Sequence, residues 1–283
     1  MNFAPVIDAH EACQAWTHHA LWLDAQFDLN KPHQGCLNYD SAHKTGAHHI
    51  DLEAHLSAPT TTFTGRHPFP DLLSLRSHLL HIGYQSQQPV VIYDQGDMLF
   101  AARAWVCLRW LGIESVCVVD GGLPALIAAG ASIDNRHPNM PENPAQHAIW
   151  SPSLQDLITQ EQLQQDLYSR PWLLIDARAP ARFQGSPHPL DPRCGHIPGA
   201  INRFYQDNLQ ASGRFLPHAE LQQQWLALLN GKTPQEVVHY CGSGVSACVN
   251  LLAMAYVGLT GSRLYVGSWS QWAANPNNPI TLL

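Results

Sequence analysis

Val237-Val238-His239-Tyr240-Cys241-Gly242-Ser243-Gly244-Val245-Ser246-Ala247 reads as a short apolar strand running into a glycine-bearing loop. The apolar pattern from Cys248 to Tyr256 then reads as a helix. The same strand is written once before, because Pro89-Val90-Val91-Ile92-Tyr93-Asp94 answers Glu236-Val237-Val238-His239-Tyr240-Cys241. Three more pairs keep the same order: Leu21-Trp22-Leu23-Asp24-Ala25 with Leu173-Leu174-Ile175-Asp176-Ala177, His43-Lys44-Thr45-Gly46-Ala47 with His196-Ile197-Pro198-Gly199-Ala200, and Asp120-Gly121-Gly122-Leu123 with Val266-Gly267-Ser268-Trp269. Each pair is separated by roughly 150 residues, the signature of one domain present twice.

Within each copy, apolar runs such as Leu173 to Ile175 alternate with longer periodic stretches such as Leu72 to Leu80. Short strands between helices imply an α/β fold, with each copy a parallel sheet flanked by helices. The expected division is residues 1–133, a linker over 134–150 carrying Pro138, Pro141 and Pro144, and residues 151–283. In such sheets ligands bind beyond the carboxyl ends of the strands, where Cys241 and Asp94 both fall.

The 283 residues are long enough for two cores, with 45% hydrophobic and 13% charged residues. A net charge of -7 argues against nucleic acid or an anionic membrane as partner. No apolar run is long enough for a membrane span and the N-terminus has no signal-peptide pattern, so a soluble cytoplasmic protein is expected. Seven cysteines at irregular spacing suit reduced thiols better than a disulfide framework. Despite 17 histidines, no HExxH or HxH occurs and the doublets His18-His19 and His48-His49 point neighbouring rings apart, so no metal is expected. Trp16, Trp105, Trp110 and Trp225 lie in periodic apolar stretches and are expected in the core.

Gly242 and Gly244 let the backbone curl around the Cys241 sulfur so that successive N–H groups aim at it, and the following helix adds its positive end. Such a cradle lowers a thiol pKa from about 8.5 toward neutrality and equally suits an anionic sulfur one atom further out. Cys241 is therefore expected to be a nucleophile that carries sulfur.

The loop Cys241-Gly242-Ser243-Gly244-Val245-Ser246-Ala247 resembles the active-site loop of the tandem-domain rhodanese superfamily, and most of all its 3-mercaptopyruvate sulfurtransferase branch. Ser246 stands where that branch has Thr. Gly195-His196-Ile197-Pro198-Gly199-Ala200 is similar to the family's domain signature and Gly267-Ser268-Trp269-Ser270-Gln271-Trp272 to its C-terminal one. The resemblance implies a catalytic second domain, an inactive first domain with Asp94 at the cysteine position, and sulfur transfer through a Cys241 persulfide without a cofactor. It implies loop contacts to the donor from Gly242, Gly244, Val245 and Ser246.

It also implies Arg182, in Ala181-Arg182-Phe183, as the ligand of the donor's carboxylate, with Arg193 of the Pro192-Arg193 pair as a second and Arg178 as a weaker candidate. Ser243, His67 and Glu53 match a serine, histidine and acid that relay a proton in that branch. Uncharged Gly242 and Ser243 replace the Arg and Lys typical of thiosulfate-using members, which favours 3-mercaptopyruvate; thiosulfate is the alternative donor. Acceptors could be thioredoxin, glutathione or cyanide.

Two other classes differ in kind. Phosphatases of this fold end the loop in an arginine, and the chain has Ala247 there. A sulfur-carrier module serving one protein partner would need no turnover on small molecules, with Cys248 as a conceivable resolving thiol; about 10 Å of helical rise separates it from Cys241, which places it in the core instead.

Overall fold

A computed structural model describes residues 3–16, 19–140, 148, 150–169 and 171–282. His18 of the first histidine doublet, Met1 and Asn2 of the N-terminus, and residues 141–147 and 149 of the expected linker lie outside them.

The chain forms two compact units. Unit 1 runs β1 (Val6–Ile7), α1 (Ala9–Trp16), β2 (Leu21–Asp24), α2 (His33–Ser41), β3 (His43–Lys44), β4 (His48–His49), α3 (Leu72–His81), β5 (Val90–Tyr93), α4 (Leu99–Leu111), β6 (Val116–Val119), α5 (Gly122–Ala128) and β7 (Ile133–Asp134). Its main sheet has the order β1-β6-β5-β2-β4, every pair parallel. β3 and β7 make a separate antiparallel ribbon. All four residues of β2, β5 and β6 are buried, as expected of parallel strands covered on both faces.

Unit 2 runs α6 (Gln160–Asp166), β8 (Leu173–Asp176), α7 (Pro180–Gln184), β9 (Ile201–Asn202), α8 (His218–Leu229), β10 (Val237–Tyr240), α9 (Ala247–Tyr256), β11 (Arg263–Leu264) and α10 (Ser268–Ala274), with short 3-10 turns at Tyr205–Asn208 and Pro234–Glu236. Its parallel sheet has the order β11-β10-β8-β9, which repeats β6-β5-β2-β4 of unit 1 strand for strand. The bridge of Leu157 to Leu264 repeats β1 beside β6, and the antiparallel bridge of His196 to Thr281 repeats the β3–β7 ribbon. Each of the four paired sequence stretches thus occupies the same place in both units.

The boundaries differ from those expected by sequence. Pro59–Pro68 groups with unit 2, Ala211–Arg214 groups with unit 1, and unit 1 continues to Ser153. The backbone explains the first exchange: Arg66 N–H donates to Ser270 Oγ, Gln271 Nε2 donates to the Phe63 carbonyl, and Gly65 lies so close to the Gly267 carbonyl that only a hydrogen fits between them. At the third, Ser153 N–H donates to the Trp110 carbonyl at 2.9 Å.

α9 is buried on all faces from Ala247 to Met254, so the loop before it is anchored to a core element and not to a surface helix. Trp225 is fully buried, Trp105 and Trp110 nearly so, and Trp16 is half-buried against Phe3.

In the middle of the catalytic-loop strand, His239 is fully buried. Its Nε2 lies 3.3 Å from Met254 Sδ, its Nδ1 finds no partner among the described residues, and it meets Trp225 edge-on. Burial pushes its pKa down to about 3. Because the folded value lies below the unfolded one of about 6.5, its stabilising effect is complete above pH 6.5 and is lost as pH falls toward 3, at about 1.4 kcal/mol per pH unit. His239→Leu should therefore flatten the acid limb of the stability–pH curve. Denaturant unfolding between pH 6.5 and 4 checks this, and parallel curves for both proteins would refute it.

Candidate functional site

Six residues, Cys241 to Ser246, join the end of β10 to the start of α9. Gly244 has φ +79°, and a Cβ there would collide with the Val266 backbone, so glycine alone permits the turn. The turn directs Gly244 N–H onto Cys241 Sγ at 3.2 Å. Cys241 is 2% exposed, Val245 is buried beside it, and half-buried Ser246 accepts from Val249 N–H to open the helix.

Behind the loop lies the turn into α10. Trp269 N–H donates to the Cys241 carbonyl at 2.9 Å and Ser270 N–H to the Gly242 carbonyl at 3.0 Å. Cys241 N–H donates to Ser268 Oγ at 3.1 Å, and that hydroxyl donates on to the Tyr265 carbonyl. Ser268 pays for this position with φ +53°, where Gly122 holds φ +58° at the matching place in unit 1. A side chain is tolerated in the left-handed region there because its oxygen satisfies a buried N–H.

The matching loop of unit 1 shows what this turn holds. Asp94 replaces the cysteine, is fully buried, and its two oxygens accept N–H groups from Gly96 (2.9 Å), Met98 (3.3 Å), Phe100 (3.2 Å) and Ala101 (3.1 Å). Burial and the Asp94 charge push the neighbouring Asp97 carboxyl up to about 7. The strand–loop–helix of this fold is thus an anion cradle that unit 1 fills with its own carboxylate. In unit 2 a smaller side chain stands at the same point.

Charged groups gather over Gly242. The point where a Cβ would stand lies 2.9 Å from Arg66 Nη2 and 3.0 Å from Arg182 Nη2. Arg182, 21% exposed, forks onto Asp191 through Nε (2.9 Å) and Nη2 (2.6 Å). Arg178 is buried and forks onto Asp176, with Nη2 also on the Gly195 carbonyl and Nη1 3.4 Å from Asp191. Arg66 donates through Nη1 to the Leu190 carbonyl at 2.5 Å. Burial lowers its pKa, with Asp191 and Cys241 acting in the opposite sense. His67 Nδ1 and Ser243 Oγ are 2.8 Å apart.

The structure therefore brings together Cys241, Gly242, Ser243, Gly244, Val245, Ser246, Arg182 and His67. It turns Arg193 elsewhere: its guanidinium donates to the carbonyls of Ala273, Asn275 and Asn278, which follow or end α10. That network holds the chain past α10, and the expected second donor arginine is spent on backbone. Glu53 belongs to unit 1, is exposed, and its N–H donates to the Asp51 carboxylate. Cys248 is buried and its thiol donates to the Gly244 carbonyl at 3.2 Å, a packing role under the loop.

Sequence reasoning missed Arg66, Asp191 and Ser268. Arg66 directly precedes His67, so placing His67 at the loop was a usable hint. Ser268 sat inside a quoted signature, but its contact with Cys241 has no local trace. Asp191 had none either.

Comparison with known proteins agrees with this geometry. A family model described as "Rhodanese-like domain" matches residues 12–129 and 159–275. A Pseudomonas aeruginosa protein named "Probable 3-mercaptopyruvate sulfurtransferase" is 44% identical over 262 residues, covering 92% of this chain and 91% of that one. The Mus musculus thiosulfate sulfurtransferase is 30% identical over 260 residues, covering 88% and 84%. Among solved structures, the 3-mercaptopyruvate sulfurtransferase from Leishmania major superposes with a TM-score of 0.87 at 26% identity, over 98% of this chain and 76% of that chain. A duplicated parallel sheet, a cysteine at the cradle of the second copy and these relatives lead to one conclusion: the chain belongs to the rhodanese-like family and is a sulfurtransferase.

Proposed function

We propose that the donor is 3-mercaptopyruvate and that Cys241 carries its sulfur. The observation that supports this reading most directly is Gly244 N–H aimed at a buried Cys241 Sγ, with cationic groups beside Gly242. In the first half-reaction the Cys241 thiolate attacks the donor's sulfur. A new S–S bond forms, the donor's C–S bond breaks, and its electron pair stays on carbon as the enolate of pyruvate. Ser243, hydrogen-bonded to His67, supplies the proton that turns the enolate into pyruvate. The outer sulfur is left on Cys241 as a persulfide anion, a good guest for a cradle whose counterpart in unit 1 holds a carboxylate.

In the second half-reaction a thiolate or cyanide attacks the outer sulfur and the S–S bond breaks back to the Cys241 thiolate. Thioredoxin, glutathione and cyanide are acceptors of suitable chemistry. Arg182 orients the donor's carboxylate from the helix of residues 180–184. Thiosulfate is the second reading, favoured by the presence of two guanidiniums at Gly242. Its transfer releases sulfite, which needs no proton at carbon.

His67→Ala separates the two. With 3-mercaptopyruvate, kcat should fall about 100-fold because the enolate loses its proton source, while transfer from thiosulfate should change little. Steady-state thiocyanate formation from each donor measures both. An equal loss with the two donors would remove His67 from the proton path, and a wild type that turns over only thiosulfate would overturn the donor assignment.

A further inference from the structure

Phe63 is 84% exposed, yet the turn that carries it is fixed at several points. Thr61 N–H donates to Thr64 Oγ1 at 2.9 Å, Phe63 N–H donates to Thr61 Oγ1 at 3.2 Å, and the Phe63 carbonyl accepts from Gln271 Nε2 at 2.8 Å. Thr60 Oγ1 donates to the Arg66 carbonyl at 2.9 Å and closes the base of the turn. Leu190, 46% exposed, lies in a second ordered turn, where Pro187, Pro189 and Pro192 restrict the backbone. There Leu190 N–H donates to His188 Nδ1 at 3.3 Å and Asp191 N–H to the His188 carbonyl at 2.9 Å. Arg66 ties the two turns together: its peptide belongs to the first, its guanidinium reaches the Leu190 carbonyl, and its Nη2 stands beside Gly242. Both turns belong to unit 2 and border the Cys241 loop.

A single exposed apolar side chain is ordinary. Two of them, held on ordered turns at the rim of a reactive sulfur, are a preorganised contact, because docking on them orders little backbone and a Phe gives up only two torsions. Cys241 is 2% exposed, and a persulfide extends it by one S–S bond of about 2.05 Å. A protein thiol that reaches the outer sulfur therefore brings its own surface against the rim. Phe63 is three residues from Arg66, at most about 10 Å of chain. A stable interface covers about 800 Å² on each partner, a disc of roughly 16 Å radius. A protein centred on the loop thus covers Phe63, whereas cyanide or a small thiol at the sulfur does not. Among the described residues, Arg66, Arg178 and Arg182 outnumber Asp176 and Asp191 at this mouth, in a chain whose net charge is -7. That local excess suits a partner with acidic groups around its thiol.

We propose that Phe63 and Leu190 form the docking rim for a folded protein acceptor that presents its thiol within an apolar, acid-edged surface. This rests on the reading of Cys241 as the sulfur carrier. The acceptor's thiolate attacks the outer sulfur of the Cys241 persulfide. One S–S bond forms on the acceptor, the S–S bond to Cys241 breaks, and its electron pair leaves on the Cys241 thiolate.

The test compares three acceptors at saturating donor: reduced thioredoxin as the protein thiol, dithiothreitol as a small dithiol, and cyanide. The chains are wild type, Phe63→Ser, Phe63→Leu and Leu190→Ser. Phe63→Ser should raise KM for thioredoxin about tenfold, as loss of an interface anchor does, and Phe63→Leu should recover part of it. Leu190→Ser should raise the same KM about threefold or more. Rates with cyanide and dithiothreitol should stay within about twofold of wild type in all three variants, which also shows that the variants fold. An unchanged thioredoxin KM in Phe63→Ser overturns the proposal, and so does an equal loss with cyanide, which would make the turn a wall of the small-molecule site. A wild type that serves cyanide and dithiothreitol but not thioredoxin overturns it too. Failure with every acceptor is a different result, since it removes the Cys241 reading itself. Sedimentation of wild type and Phe63→Ser completes the test: a dimer that the substitution dissolves would give the rim to a second copy of the chain and overturn the assignment to an acceptor.

Discussion

Cys241→Ser is expected to abolish sulfur transfer from every donor, with kcat/KM falling by about 10⁴-fold or more. A serine keeps the size and the Gly244 N–H contact, so the loop should stay folded. What is lost is the atom that forms the S–S bond, since an alkoxide is not available near neutral pH and an O–S bond to the donor is not formed. Mass spectrometry of the chain after donor treatment without acceptor provides the second readout. Wild type should gain one sulfur atom on the peptide carrying Cys241, and the variant none. Persistent turnover in Cys241→Ser, or a sulfur found on Cys248 or Cys194 instead, would disprove the mechanism.

Asp94→Ala is expected to be among the most destabilising single changes in unit 1, at about 4 kcal/mol or more. The carboxylate is the acceptor for four backbone N–H groups at the end of β5, three of them in a buried setting and that from Gly96 in a partly buried one. Its removal leaves donors unsatisfied at roughly 1–3 kcal/mol each, offset in part by water entering the space. Asp94→Asn should also cost stability, because an amide turns N–H toward the Phe100 and Ala101 donors where an oxygen stood. Hydrogen exchange resolves the effect by segment: protection of Val90–Tyr93 should fall in both variants. A melting curve and exchange pattern like those of wild type would show that the cradle does not need its anion.

Both results turn on one local design used twice. A parallel strand ends, the backbone curls through a glycine, and a buried helix begins, so that N–H groups converge on whatever side chain leaves the strand. With Asp the cradle is closed by the chain itself. With Cys it is left with a reactive atom that accepts the Gly244 N–H at 3.2 Å, and the chemistry can be done on an incoming sulfur.

Much of this was legible in the residues. The four paired stretches fell on β2 and β8, on the ribbon and its bridge, on β5 and β10, and on the turns before α5 and α10. Apolar runs, glycines and helix periodicity are local signals, governed by backbone sterics and by burial on both faces, and the duplication doubled each of them. Cys241, the glycines of its loop and the helix behind it belong to that class, as does the absence of a phosphatase arginine at Ala247. The assignments of Arg182 and of the Ser243–His67 pair came from family resemblance, and the geometry places these three side chains at the loop.

Tertiary structure alone decided the rest, for one physical reason: a charged side chain's role is set by what lies across from it, and those partners come from distant segments. Arg193 looks like a ligand in the sequence and is spent on three carbonyls at the end of α10 and just beyond it. Arg66 looks like a spacer before a histidine and becomes the one guanidinium near Gly242 without an ion pair among the described residues. The segment Pro59–Pro68 crosses to the unit containing Cys241 because Gly65 packs on Gly267 and Arg66 bonds to Ser270, contacts about 200 residues apart in the chain. Local pattern specifies the strand, the loop and the nucleophile, whereas the balance of charge that a donor meets exists only once those separate stretches are folded against one another.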